Sequence, residues 1–200
     1  MNGSGWMRRA GAVLMTLGLV ACGGEDGEPN PFLGVFEISS HQLSERGCET
    51  PMPLVDPSSC FGCVVEKPFF KVKRQTFLGT SIMSIVDCES ATVCDDDGDD
   101  EGSINLGGAI FERKDGDAWV GYAYAASYGG ASCSYQETEW RLEETDDGIL
   151  LTRTTLRATP ESPSGMLTDD ACLDLTDNPP PRDELECDAQ ELVEAAAAEM

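Results

Sequence analysis

The residues best suited to chemistry in this sequence are nine cysteines and a single histidine, His41. Cys60 and Cys63 have the C-x-x-C spacing of a thiol-redox site or of half a zinc site. A redox motif usually opens a helix, which lowers the pKa of its first thiol, but here Val64-Val65 predicts extended chain. A zinc site needs two further ligands at plausible spacing. The pattern therefore favours a structural disulfide, with thiol-redox chemistry as the alternative.

His41 is the only imidazole that could serve acid–base or nucleophilic catalysis. No G-x-S-x-G nucleophile motif and no glycine-rich phosphate-binding loop occur in the chain. The sequence therefore predicts a non-enzymatic protein. A hydrolase or thiol-redox enzyme that uses His41 or Cys60 and Cys63 is the alternative.

An acidic run follows Cys94, and its candidate metal ligands are Asp95, Asp96, Asp97, Asp99, Asp100 and Glu101. Crowded carboxylates repel one another, and a hard cation such as Ca²⁺ relieves that repulsion. An EF-hand register built on Gly98 would place Val93 and Ile104 at ligand positions, so this motif is excluded. We expect a solvated acidic loop with at most weak Ca²⁺ affinity and no other cofactor. A structural, cation-binding acidic protein remains a further alternative.

Aromatic residues concentrate between positions 119 and 140, and the candidate ligand-binding residues are Trp119, Tyr122, Tyr124, Tyr128 and Tyr135. Tyr122 and Tyr124 are expected to share one face of a strand, with Gly121 and two alanines on the opposite face. Small residues inside a barrel leave room for a ligand. Aromatic packing on a strand pair is the alternative use. The sequence thus predicts a binding or interaction module for an unidentified small ligand or partner protein.

The first residues have the layout of an export signal. Arg8-Arg9 precede an apolar run over residues 10–20, which is typical of a secretory signal peptide and too short to span a bilayer. The run ends in Leu19-Val20-Ala21-Cys22, which resembles the lipobox of bacterial lipoproteins. The resemblance implies cleavage before Cys22, acyl chains on the new N-terminus that anchor it in a membrane, and export to the cell envelope. Gly23 follows Cys22 at the position where an Asp would indicate retention in the inner membrane, so the resemblance implies the outer membrane.

If Cys22 carries lipid, eight cysteines remain: Cys48, Cys60, Cys63, Cys88, Cys94, Cys133, Cys172 and Cys187. An even number in an oxidising compartment predicts four disulfides. We expect a local Cys88–Cys94 bridge and a long bridge from Cys187 to the body. If Cys22 follows an ordinary signal peptide, it is instead a structural cysteine.

The formal charge of −24, from 37 acidic and 13 basic residues, argues against a nucleic-acid partner. The one basic cluster comprises Lys67, Lys71, Lys73 and Arg74. It is expected to pair with the acidic loop, and the headgroups of the membrane are the alternative partner. The expected organisation is a signal over 1–21, a lipidated tether over 22–31, a single β-rich domain over 32–178, and a proline linker with a helix over 179–200.

The central region alternates apolar and polar residues with a period of two, which indicates antiparallel strands that bury one face. We expect about seven strands, near 33–41, 68–77, 81–87, 104–113, 117–126, 132–144 and 149–158, with an eighth near 171–175. Their order resembles lipocalin-type barrels, including Gly34-Val35-Phe36 where that family carries Gly-x-Trp. The expected fold is therefore all-β: an antiparallel up-and-down meander forming a disulfide-stapled, lipocalin-like barrel. A two-sheet β-sandwich is the alternative.

Turn chemistry predicts two hairpins, one at Asp115-Gly116 and one at Asp146-Asp147-Gly148. A three-residue loop in the second hairpin would place Glu143 opposite Leu151 and bury the face that contains Leu150. Asp188 opens a capping-box pattern with Glu191, which predicts a helix through Ala198.

Overall fold

Antiparallel strands make up most of the residues that the structure describes. The computed structural model describes residues 30–45, 47–54, 60, 62–77, 80–95, 109–129, 132–159, 168 and 172–199. The strands are β1 (Gly34–Glu45), β2 (Met52–Pro53), β3 (Phe69–Phe77), β4 (Thr80–Ser90), β5 (Val93–Cys94), β6 (Ile110–Phe111), β7 (Arg113–Asp115), β8 (Ala118–Gly129), β9 (Ser132–Thr145), β10 (Gly148–Ala158) and β11 (Glu186–Ala197). Short 3₁₀ helices cover Asp174–Thr176 and Arg182–Glu184.

The strands form one sheet in the order β5-β4-β3-β1-β11-β10-β9-β8-β7, while β2 pairs with β1. Near one end of this order, β4 pairs with β6 over two residues. At the other end, β8 pairs with β7 over three residues. Only Glu112 separates β6 from β7, and its N–H donates to the Val120 carbonyl at 2.9 Å. The antiparallel all-β meander predicted from the sequence is confirmed. Over the described residues, however, the sheet remains open, because the short pairings of β6 and β7 do not form a full-length ladder between its two ends.

The core contains large apolar side chains from neighbouring strands. Phe36 on β1 lies opposite Phe70 on β3, and their rings stack with centroids 5.7 Å apart. Gly121 lies where β8 passes the backbone of β6, and a Cβ there would collide with the Ile110 carbonyl. The small residue at this position therefore admits a neighbouring strand, whereas the sequence suggested space for a ligand.

The helix predicted over residues 188–198 is wrong, because this segment is strand β11. Glu191, Val193 and Ala195 are buried in alternation, as expected for a strand. Pairing with β1 on one side and β10 on the other satisfies the backbone of β11. Tertiary pairing thus overrides the helix propensity of the alanine- and glutamate-rich sequence.

The register predicted for the β9–β10 hairpin is wrong by one residue. Thr145 pairs with Gly148, so the turn contains only Asp146 and Asp147. Leu151 consequently lies opposite Leu142 rather than Glu143. A shift of one residue in the pairing exchanges the two faces of a strand. The buried face of β10 is therefore the one that contains Leu151, not the one that contains Leu150.

One other predicted element differs from the structure, and several predictions fall outside the described residues. The strand expected near 171–175 is replaced by a short helical segment that includes Asp174–Thr176. The predicted signal, Cys22 and the tether up to residue 29 lie outside the described residues, as do Asp96, Asp97, Asp99, Asp100 and Glu101. Among the described residues, no helix has both the length and the apolar character needed to cross a membrane.

Candidate functional site

The eight cysteines in the described part of the chain pair as Cys48–Cys187, Cys60–Cys63, Cys88–Cys94 and Cys133–Cys172. Their Cα atoms are 5.5, 5.6, 3.8 and 5.7 Å apart, respectively. The predicted local Cys88–Cys94 bridge and the predicted tie from Cys187 to the body are both present. Cys48–Cys187 connects the residues that follow β1 to the start of β11.

A buried polar cluster lies where β1, β10 and β11 run side by side. Arg153 on β10 is directly opposite Glu191 on β11, and His41 on β1 pairs with Val193, two residues further along β11. The Glu191 carboxylate accepts a hydrogen bond from Nε2 of His41 at 2.9 Å, and its other oxygen is 3.1 Å from Nε of Arg153. His41 is 6% exposed and Glu191 is 1% exposed. Glu191 is therefore an enclosed charge held by a cation and an imidazole.

The same carboxylate holds the loop that contains the C-x-x-C motif. The backbone N–H of Val64 lies 3.1 and 3.0 Å from the two carboxylate oxygens of Glu191. The Arg153 guanidinium donates to the carbonyl of Gly62, within the motif itself. Glu191 and Arg153 therefore fix the residues on either side of Cys63 against the sheet.

This arrangement brings His41 and Cys63 together, although 22 positions separate them in the sequence. The Cys63 sulfur, a ring nitrogen of His41 and a carboxylate oxygen of Glu191 all lie within 4.8 Å of one another. The sequence indicates His41 and the C-x-x-C motif separately, and no pattern in it marks Glu191 or Arg153 as part of a site. Glu191 stood within a predicted helix, so no local signal placed it beside residues 150 positions away.

A second polar and aromatic surface lies on β8. Tyr122 and Tyr124 stack with ring centroids 6.4 Å apart, and Arg113 and Arg182 lie 5.0 and 5.9 Å from the Tyr122 centroid. Tyr124 is 50% exposed and Tyr128, on the same face, is 36% exposed. We call these five residues the tyrosine–arginine surface. Guanidinium groups over aromatic rings are favourable contacts that also hold the rings in place.

Two of the predicted ligand-binding aromatics lie elsewhere. Tyr135 is 0% exposed, and Trp119 is partly buried and packs against the hydrophobic core. Burial, followed by the nearby Glu137 carboxylate, raises the pKa of the Tyr135 hydroxyl. These two side chains therefore pack the interior, which was the alternative role considered for the aromatic group.

One member of the basic cluster, Lys67, pairs with acids near the start of the acidic run. Lys67 lies 2.6 Å from Asp95 and 2.9 Å from Glu89. Hydrogen bonds to Asp95 and Glu89 raise the pKa of the Lys67 ammonium group. The predicted internal pairing is therefore seen for Lys67 and Asp95, while the rest of the acidic run lies outside the described residues.

Asp87 beside this cluster provides a test of pH-dependent stability. Its partial burial raises the pKa of the carboxyl above the ordinary 3.8, and Asp95 and Glu66 add to the rise, although the N–H of Glu66 donates to it. The folded state thus holds this proton more tightly than the unfolded state, and wild-type stability falls as pH rises through the folded pKa. We expect Asp87→Asn to raise the free energy of unfolding at neutral pH and to have little effect below pH 3.8.

Urea unfolding of Asp87→Asn and wild type at both pH values measures this difference. The exposed Asp177→Asn is the matched control and should show no such pH-dependent gain. Loss of stability in Asp87→Asn at neutral pH would contradict the expectation.

Comparison of the chain with protein-family models, curated proteins and solved structures returned no match.

Proposed function

We propose that this chain is an exported, lipid-anchored protein of the cell envelope that acts as a binding or interaction module. The tyrosine–arginine surface is its contact face, and an envelope protein or a small ligand is its partner. Its anchor is the lipid on Cys22, which the lipobox resemblance implies, with the outer membrane as the location.

The pairing of cysteines is the observation that supports this proposal most directly. All eight cysteines after Cys22 have a partner, so Cys22 is the odd member of the nine. Disulfides persist in oxidising compartments, which favours export. An odd cysteine directly after Leu-Val-Ala is the position at which lipoproteins receive their lipid.

The binding role is supported by the composition and exposure of the tyrosine–arginine surface. Tyrosine and arginine are enriched among the residues that dominate binding energies. Arg182 lies across the surface and also binds two acids on β9, at 3.5 Å from Glu137 and in direct contact with Glu139. The hydrogen bond to Glu139 raises the pKa of Arg182, which keeps this guanidinium charged and in place. Held rings and guanidinium groups lose little conformational entropy when a partner binds.

A cell experiment tests the anchor and the contact face together. Wild-type protein should remain in the membrane fraction with an intact mass that includes acyl chains, whereas Cys22→Ser should be released. A photo-crosslinking residue at position 124 should give one discrete adduct, which Tyr128→Ala weakens. The same residue at Met52, an exposed position on β2, should not give that adduct.

The two halves of the proposal fail separately. A wild-type mass without lipid would overturn the anchor. Equal crosslinking at positions 52 and 124 would overturn the contact face.

The alternative of a thiol-redox function gains support from one observation, the position of the Cys63 sulfur within 4.8 Å of donor atoms of His41 and Glu191. Only a thiolate acts as a nucleophile, and the Cys63 sulfur is bonded to Cys60 here. Thiol-specific alkylation of the unreduced native protein separates the two functions. If the protein is a binding module, no cysteine should be alkylated. If it is a working redox enzyme, Cys60 or Cys63 should be alkylated.

A further inference from the structure

We propose that reduction of the Cys60–Cys63 disulfide converts the cluster around Glu191 into a site for a zinc-class divalent ion. The ligands are the sulfurs of Cys60 and Cys63 and a ring nitrogen of His41. Glu191 is a positioning residue that orients the imidazole. This inference stands independently of the proposed binding function.

Two of the proposed ligands, His41 and Cys63, already lie close together, and the third, Cys60, is bonded to Cys63. One donor atom each from His41, Cys63 and Glu191 lies within 4.8 Å of the others, and Cys60 is only 8% exposed. The C-x-x-C spacing keeps the two cysteine Cα atoms 5.6 Å apart. Two thiolates and one imidazole are a zinc ligand set that leaves the fourth position for water or another ligand. Reduction therefore supplies the second thiolate without a large movement of the chain.

An unused nitrogen on His41 independently points to a ligand. A carboxylate only accepts hydrogen bonds, so the 2.9 Å contact to Glu191 requires Nε2 of His41 to be the donor. In the neutral ring the lone pair then lies on Nδ1, which is buried and has no hydrogen-bond partner among the described residues. Buried polar atoms without a hydrogen-bond partner are uncommon in folded proteins. A carboxylate on one ring nitrogen and a metal on the other is the usual arrangement for metal-binding histidines.

Charge balance favours the same ion. Glu191 and Arg153 neutralise each other in the oxidised protein, where the Arg153 side chain is only 16% exposed. Two thiolates would add two negative charges to this enclosed site, and a divalent cation cancels them. A dithiol reductant supplies two electrons and two protons to the Cys60–Cys63 bond and becomes a disulfide itself. Binding of the ion then releases the two thiol protons to solvent.

Zinc binding by the full-length protein tests the proposal. Mild reduction with a dithiol is adjusted until alkylation and mass analysis show that only Cys60 and Cys63 are reduced. We expect this form to bind one Zn²⁺ at least 100-fold more tightly than the oxidised protein. Co²⁺ in place of Zn²⁺ should give the strong absorption band of thiolate coordination.

Variants separate this site from general thiol chemistry. Cys60→Ser releases Cys63 without any reductant, leaves the other three pairs intact and keeps two of the three ligands. It should therefore bind Co²⁺ more weakly than the reduced wild type, and adding His41→Gln should weaken binding further and change the spectrum. Glu191→Gln should weaken zinc binding about 10- to 100-fold, as expected for an orienting partner. Cys94→Ser is the matched control, because it frees Cys88 on β4, which is not a member of the group around His41. This variant should bind no tighter than the oxidised wild type. Equal affinity in the reduced and oxidised wild type, or an unchanged Co²⁺ spectrum after His41→Gln, would overturn the proposal.

Discussion

Replacing Glu191 with alanine is expected to lower the free energy of unfolding by about 3–5 kcal/mol, a large share of the stability of a small domain. The substitution removes the partner of Arg153 and leaves a guanidinium that is 16% exposed without its counter-charge. It also removes the acceptor for the Val64 N–H and for His41. Chemical denaturation monitored by tryptophan fluorescence measures the effect.

Two further variants identify the cause of this loss. Glu194→Ala is the matched control, since Glu194 is an exposed glutamate on the same strand, and it should change stability by less than about 0.5 kcal/mol. Glu191→Leu combined with Arg153→Met removes both charges and should recover much of the loss, because apolar replacement of a buried ion pair is often tolerated. If the double variant is as unstable as Glu191→Ala, the unpaired charge is not the cause.

Removal of the Cys48–Cys187 bridge through Cys48→Ala and Cys187→Ala is expected to cost about 2–5 kcal/mol. This bridge spans 139 residues, so it restricts the unfolded chain more than any other pair described here. It also ties the start of β11 to the residues after β1, where the Gly47 N–H bonds to the Asp188 carbonyl at 3.3 Å. Thermal unfolding under non-reducing conditions measures the effect.

The short bridge provides the comparison for this experiment. Cys88–Cys94 spans only six residues, and the chain-entropy account gives about 2 kcal/mol for a loop of this size. The paired alanine variants of the two bridges should therefore differ in stability in this order. A larger loss from the short bridge would show that native packing around Cys88, rather than the loop length, governs the contribution.

The meander was predictable because its signals are local. Alternating residues such as Phe70 and Val72 identify β3 and its buried face, and Gly116 with a φ of 64° marks the predicted turn before β8. The second hairpin failed at the same local level, because an Asp-Asp-Gly sequence fits both a two-residue and a three-residue turn. That single ambiguity exchanged the predicted faces of β10.

The polar cluster could not be predicted because its members meet only through non-local pairing. Glu191 lies beside Arg153 through the β10–β11 register and beside His41 through the β1–β11 register. The sequence around Glu191 favours helix, which hid both registers. Only the even number of cysteines after Cys22 indicated that Cys187 forms a disulfide with the β-rich domain and so holds the following segment against it.

The position of β11 between β1 and β10 means that the sheet can be completed only after the C-terminal strand has been synthesised. Its partners β1 and β10 are made first, and until residues 186–197 arrive both carry unpaired backbone along an edge. Contacts between residues about 150 positions apart form slowly, because a long segment must first be closed into a loop. Chains that stop before β11 would thus expose two unpaired strand edges, and they are expected to aggregate rather than to accumulate as a smaller folded sheet.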